Sequence, residues 1–284
     1  MVTPGTSSQA QTPLKKQMVA LLRDSFTVSE RRACRVLGFS RITHRRNSPK
    51  REKDQQLVEH LRVLARERPR FGYRWIHLML GREGETVNHK RVYRIYRAEG
   101  LAVRQKERRK LSVGEHQQKP QVSAPNQRWS LDFMADQRAS GQRFHVLNVM
   151  DDFTRKCLVM HVGTSITGHD VVRVLEAVVQ FRGAPQAITT DNGPEFAGKA
   201  LDLWTHDCGI THTFIRPGKP VENAYIESFN GQVRDECLHL HWFQSLDQAR
   251  LILTAWRQDY NDLRPHTSLG GRTPNEFARL ELAD

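Results

Sequence analysis

The order of strand-like and helix-like segments after Pro125 limits the folds that are open to this chain of 284 residues. The first segment alternates two sides, as a strand does, with Trp129 and Leu131 on one side and Asp132 on the other. Three strands, a helix, a strand, a helix and a last strand are predicted at 128–134, 144–150, 157–162, 169–181, 187–190, 198–207 and 211–215. This order predicts an α/β fold in which a hairpin-built sheet acquires parallel strands.

The first part of the chain is predicted to be helical. Ser29 suits the N-cap of a helix over 30–37, Gly38 ends that helix, and a short basic helix over 41–46 follows. A glycine-containing turn between two helices is the layout of a helix-turn-helix. Its second helix would present four candidate DNA-contacting side chains, Arg41, His44, Arg45 and Arg46.

Further helices are expected over 52–67, 72–81 and 88–99. Arg91 and Arg94 lie on the last of them, at a spacing that a solvated helix face explains equally well. Because the neighbouring helix is also basic, contacts with DNA phosphates are the interpretation we favour.

Charge is divided unequally along the chain, although its sum is +13. Residues 1–124 contain 28 Lys and Arg against 11 Asp and Glu, a net charge of +17, whereas residues 125–284 have a net charge of −4. A basic part joined to a part without excess positive charge suits a nucleic-acid-binding region followed by a region with another task. A merely soluble basic surface is the alternative explanation.

Four parts are therefore predicted: a flexible leader over 1–16, a helical helix-turn-helix-like DNA-binding region over 17–103, a basic linker over 104–124 and an α/β core with C-terminal helices over 125–284. No apolar run is long enough to span a membrane, and the amino terminus lacks the pattern of a secretory signal, so a cytoplasmic location is expected. The four cysteines form no C-x-x-C pair, which predicts that the chain has no zinc site.

Three carboxylates occupy positions that suit metal-dependent chemistry. Asp132 lies in the first predicted strand, Asp191 follows the strand over 187–190, and Glu227 lies on the polar face of the next helix. Magnesium prefers oxygen ligands, and two such ions can activate an attacking oxygen and stabilise a leaving oxygen at phosphorus. A purely structural role also remains open for each acid. Asp132 would be a polar residue at the edge of the strand ladder, Asp191 would form a turn, and Glu227 would keep one face of its helix solvated.

The motifs around these acids resemble the integrase core of bacterial insertion-sequence transposases. The resemblance rests on W-S-L-D-F around Asp132, T-D-N-G-P-E-F from Thr190 and N-A-Y-I-E-S-F-N-G from Asn223 to Gly231. Asp191 and Glu227 are separated by 35 residues, the spacing found in that family. The similarity extends to F-G-Y-R-W-I-H through V-N-H-K-R-V-Y-R, like the helical DNA-binding region before the core, and to the tail Y-N-D-L-R-P-H-T-S-L-G-G-R-T-P-N-E-F-A.

This resemblance implies a ribonuclease-H-like fold in which Asp132, Asp191 and Glu227 are the catalytic, metal-binding triad for Mg²⁺, with Mn²⁺ as an alternative. It implies an enzyme that cleaves element ends and joins a 3′-hydroxyl to target DNA, with the terminal inverted repeats and the target as DNA partners. Arg234 matches a basic residue of the family two turns after the glutamate, and Lys219 is a candidate phosphate contact whose alternative is an exposed loop lysine. Self-association into a multimeric DNA complex is also implied, in a bacterial, nucleoid-associated setting.

The resemblance is greatest to the two-frame insertion-sequence-three family, in which an upstream frame adds a further helix-turn-helix and a leucine zipper. This sequence has no long heptad pattern, so we interpret it as the downstream-frame product, with the upstream-frame protein or fusion as a partner. The alternative function is then a DNA-binding regulatory or assembly subunit that is inactive without the fusion. Nuclease action on RNA–DNA hybrids also fits such a fold but leaves the basic helical half unexplained.

Overall fold

The computed structural model of the chain describes residues 11–45, 50–103, 122–216 and 223–281. The candidate DNA-contacting residues Arg46 and Lys219 lie outside the described residues, as do most of the predicted leader and linker. The chain forms two compact units, Met1–Val63 and Leu64–Asp284.

The first unit is helical and is built around a small apolar core. Its helices are α1 (Gln11–Phe26), α2 (Glu30–Val36), α3 (Arg41–Arg45) and the first part of α4 (Lys50–Glu67). Ser29 is the N-cap of α2, because its side chain accepts a hydrogen bond from the Arg32 amide. Helix α1 begins at Gln11, earlier than the predicted start of the helical region at residue 17. It includes Pro13 because the first turn of a helix tolerates proline.

Two helices of the second unit, α5 (Tyr73–Arg82) and α6 (His89–Ala98), precede its sheet. Asn88 caps α6, and the Tyr96 hydroxyl donates a hydrogen bond to the Phe71 carbonyl over 3.0 Å. The end of α4 and the end of α5 are tied by ion pairs to the C-terminal helices α10 (Leu246–Asp262) and α11 (Pro274–Glu281). These ion pairs join Arg68 to Asp259 and Arg82 to Glu276.

A five-stranded mixed sheet forms the centre of the second unit. Its strands are β1 (Arg128–Gln137), β2 (Arg143–Asp151), β3 (Cys157–Gly163), β4 (Ala187–Thr190) and β5 (Thr211–Phe214). They lie in the order β3-β2-β1-β4-β5. The first three strands pair antiparallel, whereas β4 is parallel to β1 and β5 is parallel to β4. The predicted α/β fold with a hairpin-built sheet that acquires parallel strands is therefore confirmed.

Helices cover both faces of this sheet. On one face, α7 (Gly168–Arg182) and α8 (Lys199–Asp207) pack with Trp129 and Leu131 of β1. On the other, α9 (Ala224–Glu236) and α10 pack with Met134 of β1 and with β2. Both faces of the central strands are consequently buried, and apolar burial of this kind is the main source of stability. Within the described ranges, every helix is too short or too polar to cross a membrane.

Candidate active site

Asp132 and Asp191 lie at the same level on neighbouring parallel strands. Strand β1 pairs with β4 through Ser130 and Thr189, so two steps further along each strand reach Asp132 and Asp191. Asp191 follows the last residue of β4 directly. The sheet register therefore brings together two of the three carboxylates that the sequence analysis singled out.

The turn after β4 keeps two carboxylates close to one glycine. Asp191 accepts a hydrogen bond at Oδ1 from the amide of Gly193 over 3.0 Å. A Cβ atom on Gly193 would lie 3.0 Å from this oxygen and 3.2 Å from Oε2 of Glu195. Asp191 thus takes the turn-forming role that the sequence analysis left open, and in the described part of the chain its second carboxylate oxygen accepts no hydrogen bond.

Glu227 is presented by the first turn of α9, which packs against β1 and β2. One turn further, Asn230 donates from Nδ2 to Oδ2 of Asp132 over 2.6 Å. Asn148, which is opposite Asp132 in the β1–β2 register, donates in turn to Oδ1 of Asn230 over 2.8 Å. Because the two asparagines are buried, this chain of amides fixes the Asp132 carboxylate and the helix of Glu227 relative to the sheet.

The surroundings of Asp132 favour its neutral form. Burial is the largest influence, and the nearby charges of Asp191 and Glu227 act in the same direction. Hydrogen bonds from the Phe133 amide and from Asn230 oppose these effects, and the net result raises the pKa of Asp132 to about 6. The three acids are therefore within electrostatic range of one another, although they come from three separate elements.

The carboxylate oxygens of these three acids are of the kind that a divalent cation takes, but in the described part of the chain they are not gathered closely enough to hold one. Carboxylate oxygens are the ligands that Mg²⁺ prefers, and a bound cation would offset both the burial and the repulsion that raise the Asp132 pKa. Within the described ranges, no group of three or more His, Cys, Asp or Glu side chains is placed so that it could hold a metal ion. The carboxylates thus converge without forming a closed cage.

The basic residues of α3 face an acid of their own unit. Glu30, at the start of α2, lies 2.8 Å from Nε of Arg45, 3.5 Å from Nε of Arg41 and 4.0 Å from Nδ1 of His44. The arginine hydrogen bonds lower the pKa of Glu30. The structure therefore gives three of the four helix-turn-helix candidates a contact that holds α3 against α2.

The other basic candidates lie on helices of the second unit. Arg91 is half-buried on α6, whereas Arg94 is exposed, away from the face that buries Val92 and Ile95. Arg234 is exposed on α9, two turns beyond Glu227 on the same side of that helix.

Asn230 and Asn148 are functional residues that the sequence analysis does not name. The signal for Asn230 was its position three residues after Glu227, which puts both side chains on one helix face. No local signal distinguishes Asn148, because its importance depends on which residue lies opposite it in the β1–β2 pairing.

Comparison with known families divides the chain into two matching regions. Residues 122–220 and 208–274 match profiles that are both described as integrase core domain, and residues 52–109 match one described as HTH-like domain. The HTH-like match begins within α4 and includes α5 and α6, whereas the sequence analysis found the helix-turn-helix layout at α2 and α3. It agrees with the resemblance seen in the segment from Phe71 to Arg94.

Individual proteins show similarity over most of the chain. The insertion element IS407 uncharacterized 31.7 kDa protein of Burkholderia multivorans is 47% identical, over 93% of this chain and 96% of that protein. The transposase InsD for insertion element IS2D of Escherichia coli is 27% identical, over 80% of this chain and 79% of that protein. A cryo-electron-microscopy structure of a simian T-cell lymphotropic virus intasome, in complex with the regulatory subunit B56 gamma of PP2A, matches with 17% identity and a TM-score of 0.50. The match covers 77% of this chain and 74% of the chain in that structure, and it agrees with a ribonuclease-H-like fold.

Proposed function

The chain belongs to the integrase-core transposases of bacterial insertion elements, and from this membership we propose that it cleaves DNA at element ends and joins the 3′-hydroxyl to target DNA. The single observation that carries this proposal is the convergence on Asp132 of two further carboxylates, Asp191 and Glu227, from separate elements. Acids brought together in this way are costly for the fold unless they serve a cation or a reaction.

In this proposal Asp132, Asp191 and Glu227 are the catalytic residues and hold Mg²⁺ or Mn²⁺. The bound metal would lower the pKa of the attacking water or hydroxyl and stabilise the leaving oxygen. Asn230 would keep Asp132 oriented towards the metal, since it occupies one carboxylate oxygen. The free oxygen of Asp191 and the exposed Glu227 would complete the ligand set when DNA phosphate is present.

DNA is the proposed partner at two places on the chain. The +17 charge of residues 1–124 would bind the terminal repeats mainly through phosphates. Arg94 on α6 would contact the terminal repeats, and Arg234 on α9 would contact the strand at the catalytic carboxylates. We also propose that the chain assembles into a multimeric complex that holds both element ends. An upstream-frame protein or fusion would be part of this complex, and the complex would act at the bacterial nucleoid.

A joining assay tests the chemistry. The substrate is duplex DNA with the repeats that flank the gene, incubated with supercoiled target DNA and Mg²⁺. We expect Asp132→Asn, Asp191→Asn and Glu227→Gln each to abolish cleavage and joining while DNA binding is retained. Asp247→Asn is the matched control, because Asp247 is an exposed acid of α10 and the charge change is the same.

Activity close to wild type in any of the three carboxylate variants would contradict the assignment. A wild-type chain that binds DNA but joins it only when fused to the upstream frame would assign the isolated chain to the regulatory or assembly role. These outcomes are separable because binding and joining are measured on the same DNA.

A further inference from the structure

A cavity of about 320 Å³ lies on the side of α9 opposite to Glu227. Tyr225, Phe229 and Gln232 of α9 line it, and their spacing places them on one face of the helix, whereas Glu227 and Asn230 occupy the other. The remaining walls come from α5, from the end of β2 and the turn after it, and from the end of α10 and the segment between α10 and α11. The cavity is thus separate from the three carboxylates but shares a helix with them.

Two guanidinium groups lie against aromatic rings in the walls of this cavity. Arg155 lies over the ring of Tyr225, 3.2 Å from its centroid, and Arg264 lies 5.8 Å from the ring centroid of Trp75. The guanidinium of Arg155 therefore covers one face of the Tyr225 ring, and flat surfaces of both kinds are those on which a nucleobase stacks.

The two arginines differ in how their charges are compensated. Arg264 is buried and forms a double ion pair with Glu236. Arg155 donates to the backbone carbonyl of Asp152 over 2.5 Å, and within the described ranges it has no carboxylate partner. Arg155 also has a positive φ of 59°, a conformation that costs a non-glycine residue energy. Its uncompensated charge at the cavity wall suits an anion such as a phosphodiester.

Hydrogen-bonding atoms of the lining lack partners. His266 is only 8% exposed, and its Nε2 is buried with no hydrogen bond among the described residues. The same is true of Oε1 of Gln232. Burial and the charges of Arg264 and Arg155 lower the pKa of His266 to about 3, so its ring is neutral and has one donor and one acceptor nitrogen. Because solvent reaches neither atom, a ligand in the cavity pairs with them only after the two side chains turn toward it.

We propose that this cavity binds one unpaired nucleotide of a DNA strand, with its base against the aromatic walls and its phosphate at Arg155. The base edge pairs with Gln232 and His266 after their side chains turn toward the cavity. The proposal rests on the proposed function, because it assigns a second contact with the same DNA substrate. A purely apolar ligand would leave both polar atoms and the arginine charge unpaired, and the cavity is at the small end of the range for ligand sites, as a single nucleotide requires.

Photo-crosslinking tests this site without any chemistry at the carboxylates. The full chain is irradiated in EDTA with a short single-stranded oligodeoxynucleotide that carries one 5-iododeoxyuridine, and the attached peptide is identified by mass spectrometry. We expect the crosslink on Tyr225 or Trp75. Tyr225→Leu should lower crosslinking to Trp75 by about tenfold, the loss typical of one stacking contact.

Two further variants separate binding from folding. Gln232→Leu removes a buried unpaired acceptor, so the fold should tolerate it, while crosslinking falls. Arg155→Gln should also reduce crosslinking, whereas Arg173→Gln, the same charge change at an exposed site of α7, should not.

Crosslinking at the cavity that is unchanged in Gln232→Leu and Arg155→Gln would overturn the proposal. Equal protection by free thymidylate and by an unlabelled strand at the same nucleotide concentration would overturn a DNA strand as the ligand. Asp132→Asn should crosslink like wild type, because the cavity does not include the carboxylates. Loss of joining with intact crosslinking therefore reports on the active site alone, and loss of crosslinking with intact joining reports on the cavity alone.

Discussion

Replacing Asn230 by leucine should remove activity by releasing Asp132, and the size of the effect follows from two hydrogen bonds. The substitution deletes the donor to Oδ2 of Asp132 and leaves the buried Nδ2 of Asn148 without its acceptor. A hydrogen bond to a charged group contributes about 1.5 to 3 kcal/mol, and an unpaired buried donor costs about 1 to 3 kcal/mol. We therefore expect the free energy of unfolding to fall by about 2.5 to 6 kcal/mol.

A matched control separates this local effect from general destabilisation. Asn261 of α10 is also buried and makes two hydrogen bonds, with the amide and the carbonyl of Cys157, far from the carboxylates in sequence. Asn261→Leu leaves those two backbone groups unpaired, so a loss of similar size is expected. Only Asn230→Leu should change the orientation of Asp132.

Urea unfolding and the joining assay, both at a temperature where each variant is folded, measure the two effects. We expect Asn230→Leu to reduce the joining rate by at least about tenfold beyond Asn261→Leu, since a catalytic group that is no longer held in place loses the advantage of orientation. The double variant Asn148→Leu/Asn230→Leu should be no less stable than Asn230→Leu, because no unpaired amide remains. Equal joining by the two single variants would refute the positioning role of Asn230.

Other predictions concern the turn, the tail and the basic helix. Gly193→Ala should reduce joining, because its methyl group would lie 3.0 Å from Oδ1 of Asp191. Gly198→Ala is the control and should join DNA like wild type, because the nearest atom to its methyl group would be 3.7 Å away. Equal joining rates of the two variants would contradict this reasoning. The pKa of His266 is about 3 in the folded protein, against an ordinary value of 6.5, so protonation favours the unfolded state. Between pH 7 and pH 5 the free energy of unfolding of the wild type, measured in urea titrations, should therefore fall by about 2 kcal/mol more than that of His266→Gln. An equal loss would show that His266 is not buried as described. Arg94→Gln should lower the slope of log Kd against log salt by about one, and an unchanged slope would remove Arg94 from the DNA contacts.

The elements of the core were predictable because their patterns and end signals agree. Strand β4 has the predicted bounds 187–190, and Ser29 and Gly38 mark the ends of α2 as expected. Helix α11 was not predicted, although Thr273 and Glu276 form a capping box at its start.

The site was predictable only in part. Strand order and motif spacing indicated Asp132, Asp191 and Glu227, because strand ends and a helix face are local features. The amide chain through Asn148 and Asn230 depends on cross-strand register and on the packing of α9, which no local pattern encodes. The cavity behind α9 likewise joins segments that are far apart in sequence.

The most direct test of the central claim, that three acids from three elements form one metal centre, is a Mn²⁺ titration of the chain bound to terminal-repeat DNA, followed by electron paramagnetic resonance. Asp132→Asn, Asp191→Asn and Glu227→Gln should each weaken Mn²⁺ binding by at least about tenfold, because each removes one carboxylate ligand. Asp247→Asn should bind Mn²⁺ like wild type. Wild-type Mn²⁺ affinity in the three ligand variants would contradict the account.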